Sequence, residues 1–330
     1  MMLLGVDIGG TKIAAGIVDG ETGAVLHTER TPTQAHEGGA AVLARAIALA
    51  RTVAETANVT IEAVGIGAGG QLDYRTGVVL SATDILPGWA GTRLSESFAE
   101  AFDVPAFADN DVNAFAQGEH RFGGGVGATD CVYLALGTGV GGAIFTNGKL
   151  HRGKRGTGGE LGHMFLMAQS YGKPVQTLEY FMCGESLKRN YLAMANRSEI
   201  HKELGLSKSE GLKTVDAVDP RTIGEIAQRD SNSTAREAVW KLGRHYLGMG
   251  LVSLANILDT ERFVIGGGLS DLGELLLAPA RATFAEHVLP LYRDTEIVAA
   301  KLGTNSSIVG AATVALTALE TVPDERNTVA

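Results

Sequence analysis

One local pattern occurs twice in this chain, about 130 residues apart, and it narrows the possible folds more than any other feature. A β-type run, Leu3–Ile8, meets a glycine turn and a second run, Lys12–Val18. The turn Asp19-Gly20-Glu21-Thr22-Gly23 and a third run, Ala24–Arg30, complete the unit. The same order returns as Cys131–Leu136, a glycine loop, Gly142–Thr146, the turn Thr146-Asn147-Gly148, and Lys149 onward. Short β-type runs punctuated by Gly-containing turns are hairpin signals. A unit repeated in this order predicts a duplicated fold with two halves facing each other.

Helices fill the intervals. Ala40–Ala57 is alanine-rich and holds no internal Gly or Pro, which suits a helix. Val104–Phe107 reads as a short strand feeding a helix over Val112–Phe122. The second half is mostly helical, with Leu178–Ala195, Pro220–Arg229, Ser233–Leu258 and Leu272–Val288, and a strand at Arg262–Ile265. Ser307–Leu319 is expected as a final helix packed back on the first half, residues 197–219 as a surface excursion, and 321–330 as a frayed tail. The class is therefore α/β, with a duplicated mixed β-sheet core and flanking helices.

The charge and cysteine content remove several function classes. Lys and Arg number 28 against 37 Asp and Glu, a net charge of −9, so the electrostatic footprint of a nucleic-acid binder is missing. No apolar stretch reaches the length of a membrane span. Met1-Met2-Leu3-Leu4 lacks a basic lead and Asp7 interrupts a signal core, so a soluble cytoplasmic protein is expected. Two cysteines, Cys131 and Cys183, make neither a disulfide framework nor paired zinc knuckles.

Glycine is the outlier, at 44 of 330 residues, roughly twice the usual share of about 7%. Twenty-four of the 44 fall in five clusters, at 5–10, 65–70, 123–127, 137–162 and 266–268, so they mark specific loops rather than general flexibility. Gly123–Gly127 reads as a flexible link between the halves. Gly137-Thr138-Gly139-Val140-Gly141-Gly142 matches the dinucleotide fingerprint, but that motif needs a helix directly after it. Here a strand and a hairpin turn follow, which argues against a nicotinamide cofactor. No Walker A sequence is present either.

A different geometry fits Asp7-Ile8-Gly9-Gly10-Thr11-Lys12 and Leu136-Gly137-Thr138-Gly139: a β-hairpin bent tightly around an anion. Glycine lets backbone N–H groups approach phosphate closely. Thr11 and Thr138 add hydroxyl donors, Lys12 adds charge, and Asp7 at the end of a buried strand could hold Mg²⁺ through water. A plain tight turn is the ordinary reading of one glycine pair. Two such loops at matching places in two halves favour the phosphate reading.

Ala108-Asp109-Asn110-Asp111-Val112-Asn113 concentrates polar groups at a helix start. Asp and Asn cap helices well. Capping and chemistry are compatible here, because the helix dipole keeps a carboxylate at that position ionised. Phosphoryl transfer to an alcohol needs such an aspartate to take the hydroxyl proton.

Together these segments resemble the ROK family of sugar kinases and sugar-responsive repressors, within the actin-like ATPase superfamily. The resemblance rests on Leu4-Gly-Val-Asp-Ile-Gly-Gly-Thr-Lys12, Leu86-Pro-Gly-Trp89, Asn110-Asp-Val-Asn-Ala114 with Gly118-Glu119, Leu136-Gly-Thr-Gly-Val-Gly-Gly142, Gly159-Glu-Leu-Gly-His163 and Ile265-Gly-Gly-Gly268. It implies a two-domain actin-like (ribonuclease H-like) fold with an interdomain cleft. The expected division is 1–118 with a C-terminal helix at about 306–320, then 119–305. By resemblance, Asp111 is the base on the sugar 6-hydroxyl. Gly70, Asn110, Glu160, His163 and Glu179 bind the sugar. Gly9, Gly10, Thr11, Lys12, Gly137, Thr138 and Gly139 cradle the phosphates of ATP, and Gly267 and Gly268 line the adenosine pocket.

One departure from the family is large. Many members carry a Cys-x-Cys-Gly-x-x-Gly-Cys zinc motif after the Glu-x-Gly-His stretch, and here Met164 to Thr177 contains no cysteine. No zinc is expected, which removes the metal that would orient His163. The expected activity is ATP- and Mg²⁺-dependent phosphorylation of a hexose, glucose first and N-acetylglucosamine or N-acetylmannosamine second, by a homo-oligomer of two or four copies. A sugar-sensing regulator is disfavoured by the acidic charge and by the mere six residues ahead of Asp7.

Overall fold

The structure, a computed structural model, describes residues 1–82, 86–167, 176–205 and 218–321. Much of the expected excursion (206–217), the expected tail (322–330) and part of the zinc-motif interval (168–175) lie outside the described residues.

The chain forms two compact units, one of residues 1–127, 150–158 and 301–330, the other of 128–149 and 159–300. In the first, β1 (Met2–Ile8), β2 (Lys12–Asp19) and β3 (Val25–Pro32) form antiparallel hairpins. Helix α1 (Gly39–Ala57) then crosses over to β4 (Ala63–Ala68), which pairs parallel with β1. A small hairpin, β5 (Gln71–Asp73) and β6 (Val78–Ser81), precedes α2 (Leu94–Phe102), β7 (Ala106–Asn110) and α3 (Asp111–Phe122). The sheet order is β3-β2-β1-β4-β7. A residue boundary at 118 falls inside α3, which stays whole in this unit.

The second unit repeats the plan. Strands β8 (Cys131–Leu136), β9 (Val140–Thr146) and β10 (Lys149–Leu150) open it, followed by the short pair β11 (Phe165–Met167) and β12 (Gln176–Thr177). Helices α4 (Leu178–Met182), α5 (Gly184–Met194), α6 (Arg197–Leu204), α7 (Pro220–Arg229), α8 (Thr234–Lys241) and α9 (Gly248–Leu258) come next, with a π-helical stretch, Leu242–Leu247, joining α8 to α9. Strand β13 (Arg262–Gly266), α10 (Glu274–His287) and β14 (Glu296–Ala299) complete a sheet of order β10-β9-β8-β13-β14. Each sheet thus joins three antiparallel strands to two parallel ones, the duplicated mixed sheet expected from the sequence.

The expected helix 178–195 is broken at Cys183, which is extended (φ −100°, ψ 170°). There Gly184 N–H donates to the Gly137 carbonyl at 2.9 Å instead of continuing the helix.

Helix α11 (Ser306–Thr321) belongs to the first unit and lies on β1 and β4. The approach is close enough to demand glycine in the strands: a Cβ on Gly5 would stand 2.2 Å from the Ile308 carbonyl oxygen, and one on Gly65 would stand 1.9 Å from that of Ala311. The opposite face of the sheet is covered by α1 and α2 around buried Val42, Val53, Trp89 and Phe98.

Gly123–Gly127 is a held turn rather than the flexible link expected. Fully buried Glu119 accepts Gly124 N–H at 2.7 Å, Lys301 N–H at 2.9 Å and Leu302 N–H at 2.9 Å. One carboxylate therefore pins two stretches of backbone next to the points where the chain leaves and re-enters the first unit.

Candidate active site

In the first unit the polar corner between β7 and α3 is fixed by its own side chains. Asn110 is the N-cap of α3, its Oδ1 accepting Val112 N–H at 2.9 Å and Asn113 N–H at 3.3 Å. Its Nδ2 donates to the Gly70 carbonyl at 2.9 Å. That carbonyl is presented by a left-handed turn (Gly70 φ +105°), and the neighbouring Gly69 carbonyl accepts Trp89 Nε1–H at 3.1 Å. Asn110 and Gly70, both expected as sugar ligands, are thus brought together, and each spends part of its hydrogen-bonding capacity on the other.

Asp111 is the first residue of α3, half-buried, with Oδ1 accepting Val112 N–H at 2.9 Å. A carboxylate in the first turn of a helix is favoured by the helix dipole. Beneath it runs β4: a Cβ on Gly67 would stand 3.7 Å from Asp111 Cα. Asp7, near the end of β1, pairs with Gly67 across the parallel ladder. Burial, with the Asp111 charge adding to it, pushes the Asp7 carboxyl up to about 6 against the pull of a Ser307 hydrogen bond, Lys12 and Arg30.

Gly10 and Thr11 lie in the turn between β1 and β2, and Lys12 is exposed at the start of β2. The turn is tight: Gly9 N–H donates to the Lys12 carbonyl at 3.1 Å, so that amide is already engaged. Buried Thr33 braces the loop, its Oγ1 donating to the Gly9 carbonyl at 2.6 Å and its N–H to the Thr11 carbonyl at 3.0 Å.

The donor set suits Mg²⁺ better than a protein-built metal cage. Among the described residues no group of three or more His, Cys, Asp or Glu is placed to hold a metal. Mg²⁺ needs only one or two carboxylates when substrate phosphates supply the rest. A half-buried carboxylate such as Asp7, with a second negative charge beside it, is stabilised by a cation.

In the second unit the loop between β8 and β9 closes on itself, Gly137 N–H donating to the Gly139 carbonyl at 2.9 Å. Glu179, in the first turn of α4, accepts Val140 N–H on Oε2 at 2.9 Å. Glu160 and His163 are both exposed, Glu160 just before a short 3₁₀ turn and His163 its last residue, and His163 N–H donates to the Glu160 carbonyl at 3.2 Å. Leu178 N–H donates to the Met164 carbonyl at 2.7 Å, joining this turn to α4. Gly267 and Gly268 follow β13 and have unlike surroundings. A Cβ on Gly267, whose φ is +82°, would stand 2.4 Å from the Leu136 carbonyl oxygen, whereas no described atom lies within 4 Å of one on Gly268.

Residues 3–318 match the ROK family model. The chain belongs to the ROK family. This ROK chain is 36% identical to the glucokinase of Streptomyces coelicolor over 323 residues, covering 95% of this chain and 97% of that protein. The crystal structure of a ROK family glucokinase from Streptomyces griseus in complex with glucose and AMPPNP matches with a TM-score of 0.80 at 34% identity, covering 94% of this chain and 98% of that one. A ROK hexokinase from Thermus thermophilus matches with a TM-score of 0.72 at 31% identity, covering 97% and 99%. The fold is the two-domain actin-like α/β fold of ROK kinases.

Sequence reasoning passed over two residues of the first unit's corner. Asp109, only 2% exposed, was visible as part of a polar run but carried no assigned role. Arg152 had no local signal, because it reaches Asp109 from 43 residues along the chain.

Proposed function

We propose that this protein transfers the γ-phosphate of ATP to the 6-hydroxyl of glucose. The observation that carries the reading is Asp111, held at the start of α3 by a capped and cross-braced corner, in a chain whose ROK relatives include glucokinases. Asp111 takes the hydroxyl proton as oxygen attacks the γ-phosphorus; the bond to the β–γ bridging oxygen breaks and ADP leaves. Asn110, Gly70, Glu160, His163 and Glu179 bind the sugar. The 9–12 and 137–139 loops hold phosphate oxygens through backbone amides, Thr11, Thr138 and Lys12, and Gly267 and Gly268 face adenosine. Mg²⁺, held by Asp7, supplies neutralising charge to the phosphates when bound.

These assignments explain how a chain of net charge −9 accepts a polyanion: the donors are backbone amides, two hydroxyls, one lysine and a metal, not an extended basic surface. The reading includes a homo-oligomer of two or four copies, which light scattering on the purified chain tests. A coupled ADP-release assay across glucose, mannose, fructose, N-acetylglucosamine and N-acetylmannosamine, repeated with polyphosphate in place of ATP, tests the activity. Glucose is expected to give the highest kcat/KM. A higher value with an N-acetylated sugar replaces glucose with a hexosamine, and no ADP release with any hexose overturns the kinase reading.

A further inference from the structure

Arg152 lies on residues 150–158, a stretch that packs with the first unit although the chain on either side of it belongs to the second. Its guanidinium comes within 2.6 Å of Asp109 Oδ2 and lies over the Tyr74 ring, 4.1 Å from the centroid. The contact with Asp109 is an ion pair without aligned hydrogen-bond geometry, and the buried Arg152 Nη1 has no hydrogen-bond partner among the described residues. Its role toward Asp109 is therefore charge neutralisation more than direction.

Direction comes from elsewhere. Asp109 Oδ1 accepts Asn110 N–H at 2.8 Å and Asn113 Nδ2–H at 3.0 Å, and Oδ2 accepts Gln117 Nε2–H at 3.1 Å. Residues 113 and 117 are one helical turn apart, so a single carboxylate ties the end of β7 to two turns of α3. These three donors are neutral amides. Burying a carboxylate is costly without a charge partner, and removing that partner leaves an uncompensated buried charge. Asn110 and Asp111 follow directly in the chain, so any rearrangement of Asp109 moves the N-cap and the base with it.

We propose that Arg152 is a positioning residue for phosphoryl transfer: by neutralising Asp109 and stacking on Tyr74 it locks the β7–α3 corner that aims Asp111. The proposal rests on the kinase reading above. A base displaced by a fraction of an ångström to 1 Å loses rate without losing ground-state binding, which can reach about 100-fold.

The test measures kcat at saturating hexose, KM for ATP and the unfolding temperature for R152M, R152K and the double variant D109N/R152M. R152M is expected to lower kcat by about 10- to 100-fold while changing the KM for ATP less than about 2-fold. R152K, which keeps the charge, is expected to regain a good part of that loss. D109N/R152M, which removes the stranded charge, is expected to exceed R152M in kcat. A kcat for R152M within about 2-fold of the unaltered protein overturns the proposal, as does R152K or the double variant performing no better than R152M. Where R152M fails to fold, D109N/R152M decides against R152K: a kcat per folded molecule below that of R152K supports the proposal, whereas a double variant within about 2-fold of the unaltered protein in kcat, with only its unfolding temperature lowered, shows a purely structural role and overturns it. Failure of the kinase reading looks different, since the unaltered protein then transfers phosphate to no hexose.

Discussion

Glu179 Oε2 accepts a hydrogen bond from the backbone N–H of Val140 at 2.9 Å. Glu179 lies in the first turn of α4 and Val140 opens β9, so a side chain assigned to sugar also closes the loop assigned to phosphate. The bond has an ionised acceptor, the stronger kind, and a lost bond of this type costs roughly 10- to 100-fold in an equilibrium. Glu179→Ala is therefore expected to raise the KM for ATP as well as that for glucose, and Glu179→Gln to do so less. A rise confined to the sugar KM, with each substrate varied in turn, counts against the loop-closing role.

Asp111→Asn keeps an oxygen able to accept the Val112 N–H now taken by Oδ1, so the start of α3 survives the change. What it removes is the proton acceptor. Turnover is expected to fall by about 10²- to 10⁴-fold, the usual range for a positioned base. Glucose affinity measured by titration calorimetry should change only about 3-fold or less. Near-normal turnover removes Asp111 from the role of base.

The hairpins around both glycine loops were legible because alternating apolar runs and Gly-containing turns are local signals. Strand β4 was not, since Gly65 and Gly67 within it read as a loop. Its glycines are explained by α11, whose carbonyls sit against the strand after a separation of more than 240 residues in sequence. The same limit hid Arg152. Asn110 and Asp111 were readable because capping is local, whereas the cation that neutralises Asp109 arrives through the tertiary fold.

Two glycine classes that look alike in sequence separate by what surrounds them. Gly65→Ala would drive a methyl to 1.9 Å from the Ala311 carbonyl oxygen, and a loss of about 2 kcal/mol or more is expected, read as a lower urea midpoint. Gly267→Ala belongs with it, because of its φ of +82° and the Leu136 backbone at 2.4 Å. Gly268→Ala meets no described atom within 4 Å, so stability is expected to stay within about 0.5 kcal/mol while the KM for ATP rises several-fold. Loss of stability without a change in ATP kinetics in that variant removes Gly268 from the nucleotide side.

Asp7 gives the protein a pH signature when metal and nucleotide are absent. Burial, with the Asp111 charge adding, pushes its carboxyl from the ordinary 3.8 up to about 6 against the pull of Ser307, Lys12 and Arg30. The folded chain therefore holds this proton to higher pH than the unfolded chain does. The stabilisation linked to it is fully present below pH 3.8 and is lost as pH rises through 6, up to about 3 kcal/mol in all. Asp7→Asn stays neutral throughout and lacks this dependence. In urea unfolding with a chelator present, the stability difference between Asp7→Asn and the unaltered protein should move in favour of the variant between pH 4 and pH 7, with groups common to both cancelling. Mg²⁺ with ATP should then stabilise the unaltered protein more than the variant, because only the former offers a carboxylate to the cation. A difference that stays flat across this range shows that Asp7 does not carry its charge at a cost in the folded chain, and removes the electrostatic reason for placing the cation there.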